Sequence, residues 1–195
     1  MEDGGPSVTA SRVAAHRLGF ARVGTDYGDP AADEALAADV AAGQVAPANR
    51  MHDYLAARTS FFDRTVVGAI DRGVRQVVVG AAGYDGRAFR YARPGVRWFE
   101  IDHPATQRDK LARLGRLGIA APQVRYAEAD FTRDPVADRL RAVGLDPGEP
   151  EPVRRHPAGG DRGAPVFHVS LLCHGAIRSW LVHADRDSDG DGAPT

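Results

Sequence analysis

The sequence is short of everything that would staple it, span a membrane or charge it strongly. It has one cysteine, Cys173, in 195 residues, so no internal disulfide can form, and a lone thiol predicts a reducing, cytoplasmic setting. No apolar run approaches the roughly 20 residues of a membrane-spanning helix. The first residues, Met1-Glu2-Asp3-Gly4-Gly5-Pro6, lack the basic and apolar regions of a secretory signal. An excess of one charge is missing too. There are 25 basic and 26 acidic residues, which gives nucleic acid no basic face to hold. Aromatic residues make up only 7%, yet 43% hydrophobic residues over this length suffice for one packed domain.

What is there is organised around Arg75 to Ala88. Three valines, Val77-Val78-Val79, suit a strand buried on both faces. Gly80, Gly83 and Gly86 follow, where the backbone can turn or approach a ligand closely. The turn then opens into a segment able to begin a helix. Strand, glycine loop and helix form the usual cradle for a nucleotide-type cofactor.

Upstream, Ser7 is placed to cap a helix running toward Val23, with Val8, Val13, Leu18 and Phe20 along one side. Gly28-Asp29-Pro30 is a turn, and Asp29-Pro30 starts a helix through Leu36 and Val40 to about Gly43. Met51 to Arg58 reads as helical. Thr59 onward either continues that helix or begins another through Ile70. Downstream, Gly95 to Asp102 gives a second strand and His103-Pro104 a helix reaching Gly118. Val124 to Phe131 gives a weaker third strand, and Asp134-Pro135 caps a helix closed by Gly144. This alternation predicts βαβαβα with parallel strands behind a helical N-terminal extension. Gly80, Asp102 and Asp130 then fall at strand ends on one sheet edge, where such folds bind ligands.

Asp102 lies 22 residues after Gly80. Its carboxylate can accept from both hydroxyls of a ribose whose other end rests on the glycine loop. It also reads as the N-cap of the helix at His103-Pro104, and Glu100 on the same strand face is its rival. Asp130-Phe131 offers an acid for an adenine amino group and an aromatic ring for the base, or simply a loop acid beside a core phenylalanine. Arg58 has the fork for a ligand carboxylate. The loop reads Gly80-x-x-Gly83-x-x-Gly86, which is neither the dinucleotide pattern nor a P-loop. A cofactor without a pyrophosphate fits it better than a nicotinamide does.

VVVGAAGYDGRAFR, RWFEIDHP and EADF, with YLAARTSFFDR and GDPAADEALAADVAAG upstream, resemble class I S-adenosylmethionine-dependent methyltransferases of the leucine carboxyl methyltransferase family, bacterial branch. The resemblance runs from about Ser7 to Pro150. The family's Gly-Ala-Gly-x-Asp-x-Arg aligns through Asp85 and Arg87 and puts Ala81 and Gly83 at its glycines. Ala81 departs from the pattern, with Gly80 expected to supply the flexibility one residue earlier. The resemblance implies a Rossmann-like methyltransferase fold, S-adenosyl-L-methionine as cofactor and O-methyl transfer to a carboxylate or hydroxyl. It implies Arg58 at the methionine carboxylate, Ala81 and Gly83 at the loop, Asp102 at the ribose and Asp130-Phe131 at the adenine. No catalytic residue and no metal ligand is named.

These readings divide the chain into a cofactor domain, 1–150 (helical extension 7–73, βαβαβα 74–146), and an irregular tail, 151–195. The family's fourth-strand Glu-Gly pair is not found after Pro150, so the sheet is expected to be incomplete at the C-terminus. The Arg/His/Pro/Gly-rich composition there reads as disordered or as a frameshifted replacement, although Val166 to Leu172 has a strand's pattern. Asp185 to Gly190 matches only the first half of a calcium loop, and His168, Cys173 and His174 lack a zinc spacing. Two rivals stay open: an inactive cofactor-binding fragment that self-associates through an unpaired sheet edge, and, against the glycine spacing, a nicotinamide oxidoreductase.

Overall fold

A computed structural model describes residues 5–44, 46–146 and, for the backbone alone, 166–170. Three helices come first: α1 (Val8–Arg17), α2 (Pro30–Ala41) and α3 (Arg50–Asp71). Then β1 (Gln76–Gly80), the short α4 (Arg87–Arg90), β2 (Arg97–Asp102) and α5 (Pro104–Leu117) follow. The order closes with β3 (Val124–Glu128), α6 (Val136–Ala142) and β4 (Val166–Ser170). The strands lie in the order β3-β2-β1-β4, and every neighbouring pair is parallel. This is an α/β fold of the Rossmann-like kind, and its strand ends share one edge.

The valine run explains the centre of the sheet. Val77 and Val79 enter one hydrophobic cluster with Leu36, Val66, Ile70, Trp98 and Leu114. Val78 points the other way, to Phe99, Ile101, Ala127 and Leu140. Side chains alternate along a strand, so a strand with helices over both faces must be apolar throughout. At roughly 25 cal/mol per Å² of apolar surface removed from water, each fully buried valine contributes about 1.5–3 kcal/mol against exposure.

Caps set the helix starts. Ser7 Oγ accepts from the Ala10 amide at 3.2 Å, Asp29 from Ala32 at 3.1 Å and Asn49 from His52 at 3.0 Å, each relieving an orphan amide of a first turn. Pro30 occupies the first turn of α2. Residues 50–71 are one continuous helix of 22 residues, because no glycine or proline interrupts them before Gly68.

Several expectations are corrected. The first helix stops at Arg17 and not near Val23. Its core-facing residues are Ala14, Ala15 and His16, whereas Val8 and Leu18 are exposed. Small residues serve there because α1 packs closely on α2 and the glycine loop. The N-cap of α5 is His103, whose Nδ1 accepts from Ala105. Asp102 is directed elsewhere. Nor does Asp134 cap α6, since its Oδ2 accepts from the Asp130 amide at 2.8 Å. β3 ends at Glu128, which leaves Phe131 in the following turn.

The sheet has a fourth strand after the third. β4 pairs with β1, Gly80 opposite Ser170, so five residues of the expected irregular tail belong to the sheet. The rest of that tail, the half calcium loop and Cys173 and His174 included, lies outside the described residues.

Candidate cofactor site

The glycine loop leaves β1 at the C-terminal edge of the sheet and bends twice. Ala81 has φ +51° and Gly83 φ +53°. The left-handed turn therefore falls on Ala81 itself, and Gly80 does not take it over. For alanine that conformation is strained by roughly 1–2 kcal/mol. A Cβ at Gly83 would lie 3.0 Å from the Ala10 Cβ on α1. At Gly86 the need is for space: a Cβ would fall 1.9 Å from Asp33 Oδ1.

The turn is pinned from beside and behind. The Ala82 amide donates to the Ile101 carbonyl at 3.3 Å. The Gly83 amide donates to Asp102 Oδ2, and the His103 amide to Asp102 Oδ1 at 2.6 Å. Burial pushes the Asp102 carboxyl up, against the pull of these two amides. Asp102 thus ties the end of β2 to the glycine loop.

A buried charge network fastens the helical extension to the same loop. Asp85 Oδ2 accepts from Arg17 at 3.2 Å and from Arg87. Asp63 of α3 accepts from Arg22 at 2.6 Å and from Arg87 at 2.7 Å. Asp33 of α2 accepts from Arg22 at 2.9 Å and Arg90 at 2.5 Å. Burial alone would raise the Asp85 carboxyl, but Arg87 and Arg17 outweigh it and hold the group well below the usual range. Asp63 is lowered for the same reason, with Arg22 and Arg87 overcoming its burial. Buried charges persist only when paired in this way. The Asp-x-Arg that follows the glycines is the hub between the extension and the sheet.

A pocket opens over the loop. Its floor is Ala81 to Tyr84, α1 supplies Ala10, Val13 and Arg17, and α3 supplies Leu55, Arg58 and Thr59. Arg58, Ala81 and Gly83 meet here, and Asp102 supports the floor through the Gly83 amide. The Arg58 guanidinium lies 5.9 Å from the centre of the Phe62 ring. Arg17 donates to the Tyr84 carbonyl at 3.0 Å, while its buried Nε has no partner among the described residues.

Asp130 and Phe131 stand one strand away. The Ala129 amide donates to the Asp102 carbonyl at 2.9 Å, so the turn they begin lies beside the end of β2. Asp130 Oδ1 accepts from the amide and hydroxyl of Thr132 and Oδ2 from Arg133. Those Thr132 bonds hold its carboxyl low. Phe131 packs at the edge of the second hydrophobic cluster. Glu100, the rival of Asp102, does not line the pocket. It is fully buried and paired with Lys110, whose Nζ also donates to the Asp85 carbonyl at 2.7 Å. Burial outweighs Lys110 and pushes Glu100 up.

Sequence reasoning missed Arg17 and Thr59 in the pocket and Arg22, Asp33 and Asp63 behind it. Only Asp85 and Arg87 carried a signal, through the motif. The acids and arginines of the helices look like solvated surface until the fold buries them. No group of three or more metal-capable side chains occurs among the described residues. No described helix is long and apolar enough to cross a membrane.

Comparison with known proteins agrees with this architecture. A Mycolicibacterium paratuberculosis protein named "Putative S-adenosyl-L-methionine-dependent methyltransferase" is 41% identical over 113 residues, 57% of this chain and 36% of the relative. Relatives of the same description from Parafrankia sp. and Saccharopolyspora erythraea are each 42% identical, over 106 and 103 residues. These cover 53% and 52% of this chain, and 34% and 36% of the relatives. The chain thus spans about a third of the length of the curated relatives it matches. The family model of leucine carboxyl methyltransferase matches residues 11–153, from the first turn of α1 past the end of α6, and the chain belongs to that family.

Proposed function

We propose that this chain binds S-adenosyl-L-methionine and serves a methyltransferase that acts on a carboxylate or hydroxyl oxygen. The observation that carries the reading is the pocket itself: a left-handed loop at the sheet edge, two arginines above it and a carboxylate beneath its central amide. Arg58 and Arg17 supply the cations for the methionine carboxylate. The loop from Ala81 to Gly83 brings backbone close to the ligand without a long side chain in the way. Asp102, already oriented by two amides, presents its remaining lone pairs to a ribose. The turn at Asp130-Phe131, beside Asp102, is where an adenine joined to that ribose would lie.

Bound there, S-adenosylmethionine would supply a sulfonium methyl group for in-line displacement by the acceptor oxygen. The chain's own part is to orient the cofactor and keep water from it. A carboxylate acceptor carries no proton to remove, so it needs no general base. A hydroxyl acceptor does need one.

Isothermal titration calorimetry with S-adenosylmethionine and S-adenosylhomocysteine tests the cofactor. One-to-one binding is expected, weakened about tenfold or more by Arg58→Met and by Asp102→Asn, since each loses a hydrogen bond to a charged group. Folded protein that binds neither compound would overturn the reading. Methyl label that alkali releases as methanol identifies an ester and hence a carboxylate acceptor; alkali-stable label excludes the carboxylate.

A further inference from the structure

The two helices that wall the pocket are joined by a pair of histidines. His16 Nδ1 on α1 lies 3.1 Å from His52 Nδ1 on α3. Phe20 packs against both rings, 6.5 Å from His16 and 5.0 Å from His52 between centroids. His16 is buried and His52 half-buried. Meanwhile Ala10 of α1 sits over the loop, its Cβ 3.0 Å from where a Cβ on Gly83 would lie. α1 and α3 both line the pocket over the loop, so what holds α1 to α3 sets how wide it opens.

Two facing Nδ1 atoms hold together only while one is a donor and the other an acceptor. That condition is met when both rings are neutral and when one is charged. A second proton puts two N–H groups and two positive charges face to face, and the bond becomes a repulsion. No carboxylate among the described residues bonds either ring. On α1, Arg17 is turned to Tyr84 and Asp85, and Arg12 is exposed. On α2, Asp33 is held by Arg22 and Arg90, and Asp39 by Arg113. On α3, Asp63 is held by Arg22 and Arg87, Arg58 faces Phe62, and Asp53 and Arg50 are exposed. Asp85 of the loop is taken by Arg17 and Arg87. Burial first, and then His52, lower the proton affinity of His16.

We propose that the His16–His52 pair is a proton-operated latch that holds α1 across the pocket at neutral pH and releases it when both rings are charged. Histidine is the side chain suited to such a switch in the physiological range. The latch concerns access to the pocket and does not depend on which ligand enters.

Hydrogen–deuterium exchange on the full chain without ligand, from pH 7.5 to 5.5 and corrected for intrinsic rates, tests it. Residues 8–17 are expected to open at least about tenfold more at the low end, the change that uptake of a single proton drives over one pH unit. Residues 108–117, beyond the first turn that His103 caps, should not change. His52→Gln can still hydrogen-bond but cannot charge, and should flatten the response of residues 8–17. An equal response in that variant, or a rise shared by residues 108–117, would overturn the latch. If the variant misfolds, imidazole ¹⁵N titration of the unaltered protein decides: both rings charging with no change in α1 exchange would sink the idea. No ligand is present in any arm, so failure here leaves the cofactor assignment untouched.

Discussion

Ala81 and Gly86 show how differently two neighbouring loop positions constrain the residue they hold. Ala81 adopts φ +51°, which glycine reaches without penalty. Relief of strain exceeds the entropy that glycine adds to the unfolded chain, so Ala81→Gly should stabilise the protein by about 1 kcal/mol. Urea denaturation of the two proteins checks this, and an unchanged or lower midpoint refutes it. Gly86 has φ −105°, open to any residue, yet its missing Cβ is where the Asp33 carboxylate sits. Asp33 cannot withdraw while Arg22 and Arg90 hold it. Gly86→Ala should therefore cost on the order of 2–4 kcal/mol, an overpacking and network loss together. The spacing of the glycines predicted close approach of a ligand, but at Gly86 the approaching group belongs to the protein.

At the scale of elements, α3 carries Arg58 into the pocket and Asp63 into the network from one continuous helix. Asp63 is fully buried between Arg22 and Arg87. Asp63→Asn keeps the shape and removes the charge, leaving two buried guanidinium groups under-compensated. Breaking such a pair costs roughly 3–5 kcal/mol, and thermal melting should fall accordingly. Because Arg87 anchors the loop, the variant should also lose affinity for S-adenosylmethionine, which Arg22→Met should reproduce only in part.

The elements were legible in the sequence where local chemistry dictated them. Asp29-Pro30 fixed the start of α2, the valine run marked β1, and Gly118 and Gly144 closed α5 and α6. They were less legible where tertiary contact decided. The alanine face of α1 looks indifferent until the glycine loop packs on it, and the cap of α5 moved to His103 because Asp102 was drawn to Gly83. Of the candidate residues, the fold gathers Arg58, Ala81 and Gly83 around one pocket with Asp102 beneath it. Asp130 and Phe131 lie in the adjoining turn. Charge pairing between distant helices leaves no local pattern, so Arg17, Arg22, Asp33 and Asp63 could not be picked out.

For the whole molecule, these carboxylates set the acid limit of the fold. Asp63 and Asp85 both sit below the usual range in the native state, despite their burial, because arginines face them. A carboxyl with a depressed native pKa binds fewer protons folded than unfolded, so it favours the folded state above its unfolded value of roughly 4. That contribution falls away as the pH drops from there toward the native values. The latch histidine has the same sign in a different window: a lowered His16 weakens the native state as pH falls below roughly 6.5. Its effect stays local to α1, whereas loss of Asp63 and Asp85 parts the whole helical extension from the sheet. Acid titration should therefore show two separate events. Exchange in residues 8–17 should rise as the pH falls below roughly 6.5, with the far-ultraviolet circular dichroism nearly unchanged. Cooperative loss of helix should follow only below about pH 4. In Asp63→Asn the lower transition should become shallower, one of its two carboxyls having been removed, while the event at higher pH stays in place. A single transition that takes all the helix with it as exchange in residues 8–17 rises would show that the extension and the sheet do not unfold in these two steps.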